Sequence, residues 1–449
     1  LFDVNFHGKD DTVITDITRR QFLGYSLMAG AGLALAPGCA VNPVTGENQL
    51  MMISREDEIS IDKQQAPHQF STDYRFVQDN ALNGYIDIKV KAIAANTHRR
   101  EMPYSFQGVN ATYINAYAFP GGTIAVTRGI LLKLQNEAEL GALLGHELGH
   151  VNARHSAERI SKQNLSSLLV QGISAAINSR NSQMGALAEK LGMLGQGALL
   201  SYYSRENERQ ADSLGNQYLV TSGYSTNGFV GLMKILNDLH QGSSSSVSLL
   251  FSTHPMSDER YEMAVENSRG RYQASRNLPV YRDRYMDMTA GLRAKRSAIE
   301  AMQDGDAFLQ QKKYEDAKAA LERAVRLYDT DYTARLMLAK CMLAMGNASM
   351  AGRYADEAVT LYSEEPQAYQ VAGLAQLKLE NYEKAYSRFT RNAQLLPGNP
   401  GIVFFRGYAL DRMGRPKAAA PLYKEYLGMV QQGENAQYAY NRLKTWGFL

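Results

Sequence analysis

Small residues recur at a fixed interval through the last third of the chain. Gly305, Ala339, Gly373 and Gly407 are spaced by 34 residues, and so are Ala317, Ala351, Ala385 and Ala419. Larger side chains recur beside them in KKYEDAKAALERA, ENYEKAYSRFTRNA and GRPKAAAPLYKEY. Such a period is one helix-turn-helix unit stacked on its copies, with small residues where paired helices approach closest. Residues 298–433 are therefore expected to hold four units. The amphipathic AQYAYNRLKTWGFL, within 434–449, then caps the stack, with Trp446 over its apolar end. A chain of 449 residues, 45% of them hydrophobic, is too long for one core and implies two or three domains.

Charge and cysteine content narrow the function classes. Forty-eight basic against 45 acidic side chains leave a formal charge of +3, which gives no support to a nucleic-acid surface. The two cysteines, Cys39 and Cys341, could in principle pair, but they exclude a disulfide-stapled scaffold while leaving an oxidising compartment open.

The stretch TRRQFLGYSLMAGAGLALAPGC places Arg19 and Arg20 before a Gly/Ala-rich apolar run that ends in small residues and Cys39. It resembles a twin-arginine export signal joined to a bacterial lipoprotein cleavage site, with Ala36 where such sites usually carry Leu. The apolar run is shorter than the roughly 18 residues a spanning helix needs. Residues 1–38 are read as a signal peptide and Cys39 as the lipidation site; Ala40 after it favours the outer membrane. VNPVTGENQLMMIS opens a tether, 39–70, with Pro43 and Gly46 as turn formers.

Residues 71–270 are expected to form a mixed domain. YSFQGV (104–109), ATYINAYAF (111–119) and TIAVTRGIL (123–131) alternate like strands of a small sheet, interrupted by FPGG. From Asn136 to about Ser161, Leu140, Leu143, Leu144, Leu148 and Val151 follow a helical period, and HELGH lies inside it. The stretch from Leu165 to Leu200 is broken by Gln171, Asn178, Arg180, Glu189 and Lys190, and reads as a pair of amphipathic helices. A helical SYYSRENERQADSLGNQYL, a flexible QGSSSS (241–246) and SLLFSTHP follow, and 271–297 are expected to be a linker.

In a helix, His146 and His150 stand one turn apart on one face and can direct two imidazoles at one cation. Glu147, beside the first histidine, can reach a water on that cation and act as general base. Catalytic zinc takes three protein ligands and leaves one position open. His155 is a tempting third, but if the helix continues it lies about 140° around from His150 and points away, which favours a polar residue on the surface or one supporting the ligands from behind. Glu208 and Asp212, four residues apart in SRENERQAD, make the better pair: Glu208 as ligand, Asp212 as acceptor from the far nitrogen of His146. Glu206 is the rival, without an acidic partner four residues on. Gly121, Gly122 and Thr123 could start a strand to which an extended substrate pairs, and they fit a simple hairpin turn equally well. His254 could stabilise an oxyanion, occupy the open metal position as a latch, or be structural.

HELGH, SRENERQAD, NAYAFPGGTIAVTRGIL and STHPMSDER together resemble the HtpX and CaaX-prenyl-protease family of gluzincin metallopeptidases, over roughly residues 40–270. The 34-residue repeats are similar to tetratricopeptide repeats, and with the lipoprotein-like start they resemble that family's periplasmic, BepA-like branch. The resemblance implies an α+β, mostly α, fold: a zincin-type metalloprotease domain with a small sheet, followed by an all-α solenoid. It implies one zinc ion per chain on His146, His150 and Glu208, with Glu147 as base, Asp212 behind the ligands, and His254 near the reacting centre. The expected activity is zinc-dependent hydrolysis of misfolded or unassembled envelope proteins in the periplasm of a Gram-negative bacterium. The repeats would engage polypeptides or the outer-membrane protein assembly machinery, and the lipid at Cys39 would tether the chain to the outer membrane. The alternative is a chaperone or adaptor whose zinc site is latent or vestigial.

Overall fold

The computed structural model describes residues 39–163, 203–242 and 245–449. The signal expected over 1–38 and the helix pair expected between Leu165 and Leu200 lie outside them. The described residues form a mostly helical domain with small sheets, followed by stacked helix pairs.

The segment read as a tether is folded. β1 (Cys39–Val41) pairs antiparallel with β2 (Asn48–Leu50), and α1 (Arg55–Thr72) starts at a capping box between Ser54 and Asp57. The correction has a physical cause: α1 buries charge, and its partners are remote in sequence. Glu58 is buried against Arg99 (2.6 Å) and Arg154 (3.1 Å), and Asp62 accepts from the Thr123 N–H at 2.9 Å.

α2 (Asn80–Ala94) buries Leu82, Ile86, Val90 and Ile93 along one stripe. It packs on a three-stranded sheet of order β3-β5-β4, made of β3 (Ser105–Val109), β4 (Ala116–Ala118) and β5 (Thr123–Thr127). β5 is central, parallel to β3 and antiparallel to β4. The alternation in 123–131 stops at Thr127, whose hydroxyl caps a helical turn at Arg128–Leu131.

α3 (Glu137–Asn152) carries HELGH and is buried on all sides. Asn136 caps it by accepting from the Glu139 N–H. It packs against α4 (Arg205–Thr221) and α5 (Asn227–Gln241), and α6 (Asp258–Arg269) follows. Residues 271–297, expected as a linker, pack on the start of α3. The buried Tyr285 donates to Leu131 O at 2.7 Å, Ala138 N–H donates to Val280 O, and the Arg284 Nε donates to Glu137 at 2.6 Å. Glu137 also accepts from Tyr85 and Tyr224, so a carboxylate sunk at the helix start is fully engaged. No helix among the described residues is long and apolar enough to cross a membrane.

Four helix pairs follow: α7 (Arg296–Gln310) with α8 (Tyr314–Leu327), α9 (Tyr332–Ala344) with α10 (Ala348–Leu361), α11 (Pro366–Lys378) with α12 (Tyr382–Leu395), and α13 (Pro400–Arg412) with α14 (Pro416–Met429). α15 (Glu434–Thr445) packs on α14, and Trp446 stacks on Tyr423. The periodic small residues sit where the paired helices meet. A Cβ on Gly305 would meet the Leu321 side chain at 2.6 Å, on Gly373 the Phe389 ring at 2.6 Å, and on Gly407 the Tyr423 ring at 3.0 Å. In the second pair both positions, Ala339 and Ala355, are small and buried.

The first helices of pairs one to three face the preceding domain. Gln303 donates to Thr112 O at 2.6 Å, Asn110 donates to the Tyr332 hydroxyl at 2.7 Å, and Gln367 donates to Ser71 O. Arg128 and Asp331 form a buried ion pair of 2.6 Å across this boundary. Asp331→Ala should leave the guanidinium buried without its partner and cost about 3–5 kcal/mol. Urea unfolding checks this, with Arg128→Met/Asp331→Leu expected to recover most of the loss; a single variant as stable as wild type would remove the pair from the account of the interface.

Candidate metal centre

α3 and α4 bring their functional side chains together because nothing larger than a methyl group separates their backbones. A Cβ at Gly145 would lie 2.8 Å from Gly215 O, and one at Gly149 2.9 Å from Ala211 O. Across this contact His146, His150, Glu208 and His254, all buried, each offer a donor atom within 4.8 Å of the others. His146 Nε2 lies 3.1 Å from His150 Nε2 and 3.5 Å from Glu208 Oε2. Glu208 Oε1 lies 3.4 Å from His150 Nε2 and 3.1 Å from His254 Nδ1, and His254 Nδ1 is 3.4 Å from His146 Nε2.

Burial drives the His150 ring well below the usual histidine range, so its ring is neutral and offers a lone pair. Burial works against the charged form of Glu208 too, but the charges of His254 and Arg260 outweigh it and hold the carboxyl well below the ordinary range. Asp212 is likewise held down against burial by Arg260. His254 shifts upward despite its burial, because Glu208 and Glu147 favour its cation. Glu147 is raised by burial; its Oε2 has no hydrogen-bond partner, and its Oε1 lies 3.9 Å from His254 Nε2.

Asp212 Oδ1 lies 3.0 Å from His146 Nδ1. Glu206 is on the surface, paired with Arg209 at 3.1 Å, and takes no part in the cluster. His155 does not point away. α3 ends at Asn152, the chain turns through Ala153 and Arg154, whose φ of 60° is left-handed, and helical residues resume at 155. That break returns His155 to the buried side, where its Nδ1 is 2.9 Å from His150 Nδ1.

The reading of Gly121, Gly122 and Thr123 as a substrate strand is corrected. β5 is paired on both edges, and the Thr123 N–H is already engaged by Asp62. FPGG is instead the turn between β4 and β5. Gly122 has φ +106°, and a Cβ on Gly121 would come within 2.6 Å of Asp62.

Two participants escaped the sequence reading. Arg260, in STHPMSDER, is buried and grips Asp212 through Nε and Nη2, both at 2.7 Å, with Glu208 2.8 Å from Nη1. Tyr203, in SYYSREN, stacks on His150 with ring centroids 3.9 Å apart and shares a hydrogen bond with Ser156. The buried arginine was visible only as one of many charged residues on a polar helix.

Residues 80–267 match the model of peptidase family M48, and residues 308–377 and 371–437 match two tetratricopeptide repeat models. The chain is 28% identical over 233 residues to the beta-barrel assembly-enhancing protease of Escherichia coli, which covers 48% of this chain and 47% of that protein. It is 29% identical over 198 residues to a putative beta-barrel assembly-enhancing protease of Vibrio cholerae, covering 43% of this chain and 40% of the relative. Metalloprotease YcaL of Escherichia coli is 32% identical over 159 residues, 35% of this chain and 59% of its own length. The chain thus spans less than half the length of the two assembly-enhancing proteases. The crystal structure of MamA is similar to the repeats, with 18% identity and a TM-score of 0.31 over 32% of this chain and 85% of MamA. The cluster of His146, His150, Glu208 and His254 therefore lies within the segment that matches peptidase family M48, and the segments that match tetratricopeptide repeats follow it in the chain.

Proposed function

We propose that the chain is a zinc-dependent endopeptidase acting on misfolded or unassembled cell-envelope proteins. The supporting observation is the spacing of the buried donor atoms. Zinc bonded tetrahedrally at about 2.0–2.1 Å spaces its ligand atoms about 3.3 Å apart. The closest spacings among His146, His150, Glu208 and His254 run from 3.1 to 3.5 Å. His146, His150 and Glu208 would hold one ion, which when bound supplies Lewis-acid activation of water and of the scissile carbonyl.

Glu147 is the general base. Its unpartnered Oε2 takes the proton of the attacking water and returns it to the leaving amine. Asp212, held by Arg260 and 3.0 Å from His146 Nδ1, would accept the proton of that nitrogen and fix the ring. A peptide would lie along β4, the unpaired edge of the sheet, where the antiparallel alternation turns the backbone groups of Ala116 and Ala118 away from β5. The repeats select clients or dock outer-membrane assembly partners, as the names of the assembly-enhancing relatives suggest. With the first helices of pairs one to three turned toward the preceding domain, the fourth pair and α15 are among the parts left for such partners. Export to the periplasm and a lipid at Cys39 complete the reading.

His254 decides between an active and a latent site. Its Nδ1 lies 3.1 Å from Glu208 Oε1 and 3.4 Å from His146 Nε2, close enough to take the position that a catalytic site keeps open, and this supports reading it as a latch. The same placement favours the second reading, a chaperone or adaptor with a latent site.

Glu147→Gln should retain one zinc per chain by metal analysis while casein cleavage falls by about 10²–10⁴-fold; undiminished cleavage would reject the peptidase. His254→Ala should keep zinc on its three remaining ligands and cleave casein faster than wild type. Slower cleavage with zinc retained would assign His254 to the transition state instead, and two zinc-loaded but inert proteins would favour the adaptor. Cys39→Ser should abolish labelling by a radioactive fatty acid in a Gram-negative host, and an unlabelled wild-type protein would remove the anchor.

A further inference from the structure

Both nitrogens of His150 are engaged. Nε2 belongs to the donor cluster, and Nδ1 meets His155 Nδ1 at 2.9 Å. The second nitrogen of His155, Nε2, is 2.8 Å from Gln210 Oε1 on α4. Both links of this line are short enough to be hydrogen bonds, and the two histidines are buried.

The proton positions along this line follow from the chemistry of its end group. An amide oxygen only accepts, so His155 Nε2 carries the hydrogen. A neutral imidazole has one N–H, which leaves His155 Nδ1 as an acceptor. The hydrogen between the two rings then belongs to His150 Nδ1, and the lone pair of His150 lies on Nε2, among the ligand atoms. Turning Gln210 to present its NH2 would reverse every step and put the proton on the atom that must bind metal.

We propose that His155 and Gln210 are positioning residues that lock His150 in its metal-binding tautomer, an inference that rests on the zinc reading above. α4 then serves both ligand histidines: Asp212 meets the far nitrogen of His146 directly, and Gln210 reaches that of His150 through His155. The two arms differ in kind. Asp212 is a carboxylate neutralised by Arg260, whereas the arm to His150 ends on a neutral amide. The relay exists because of the break after α3. Arg154 donates to Glu58 through Nε at 3.1 Å and to Ile53 O through Nη2 at 2.7 Å, and these bonds hold the left-handed turn that brings His155 back.

The test is zinc affinity, measured by chelator competition on the full chain, beside the melting temperature of the metal-free protein. His155→Ala should weaken zinc binding by about 10–100-fold, the usual effect of removing a partner behind a ligand. Gln210→Leu should weaken it by more than the accompanying fall in metal-free melting temperature accounts for, and Gln210→Glu should tighten it severalfold by ending the relay on a carboxylate. Nitrogen-15 spectra of zinc-loaded, histidine-labelled protein should show His150 protonated at Nδ1. Wild-type affinity in His155→Ala and Gln210→Leu would overturn the relay and leave the zinc site standing. A wild-type protein that binds no zinc would overturn the metal reading and the relay with it.

Discussion

Helices α3 and α4 cross with their backbones in contact, and the site depends on that contact. Gly145 and Gly149 stand one turn apart on α3, immediately before His146 and His150, and face Gly215 and Ala211, also one turn apart, on α4. A Cβ on Gly215 would come within 2.8 Å of the His146 nitrogen. Any side chain there would push the helices apart and with them Glu208 from the two histidines. Glycine inside a helix costs about 1 kcal/mol relative to alanine. That cost is borne at the positions next to His146 and His150 because the carboxylate arm of Glu208 from α4 closes on both imidazoles at this separation.

The same closeness creates an electrostatic problem. Glu147, Glu208 and Asp212 are brought together with a single buried guanidinium, Arg260, to offset them. Three carboxylates against one guanidinium and a histidine that Glu208 and Glu147 shift toward its cation leave a negative excess when all are ionised, which suits a bound cation. Without compensation such a cluster would be expelled or neutralised by protonation. Arg260 settles the charge on Asp212, and His254 with Arg260 that on Glu208, which leaves Glu147, the group assigned to proton transfer, as the one raised by burial and free at Oε2.

Local and periodic features were legible in the sequence. The 34-residue spacing needs no tertiary information, because each small residue answers to a neighbour 16 positions on within its own pair, as Gly373 does to Phe389. His146 and His150 are fixed by helical geometry alone. What the sequence concealed depends on remote partners. α1 looked like a tether because its buried face carries Glu58 and Asp62, whose partners Arg99, Arg154 and Thr123 come later in the chain. His155 was read as pointing away because a left-handed Arg154 is stable only with Glu58 to hold it. A substrate strand and a hairpin turn were equally good readings of FPGG and the strand after it, because alternation marks a strand and says nothing of its place in the sheet.

The boundary between the two kinds of architecture is not a boundary in the core. Leu140 and Leu144 of α3 share one continuous apolar cluster with Ile299, Met302, Leu321, Met337 and Cys341 of the first two helix pairs. A stack of repeats ordinarily gains stability only from nearest neighbours. Here the first pairs gain it from the catalytic domain as well, so removing them would open the core around α3. The fourth pair and α15 instead close on their own cluster of Phe404, Tyr423, Tyr426 and Leu443. The last pair and α15 are therefore outside the apolar cluster that holds α3.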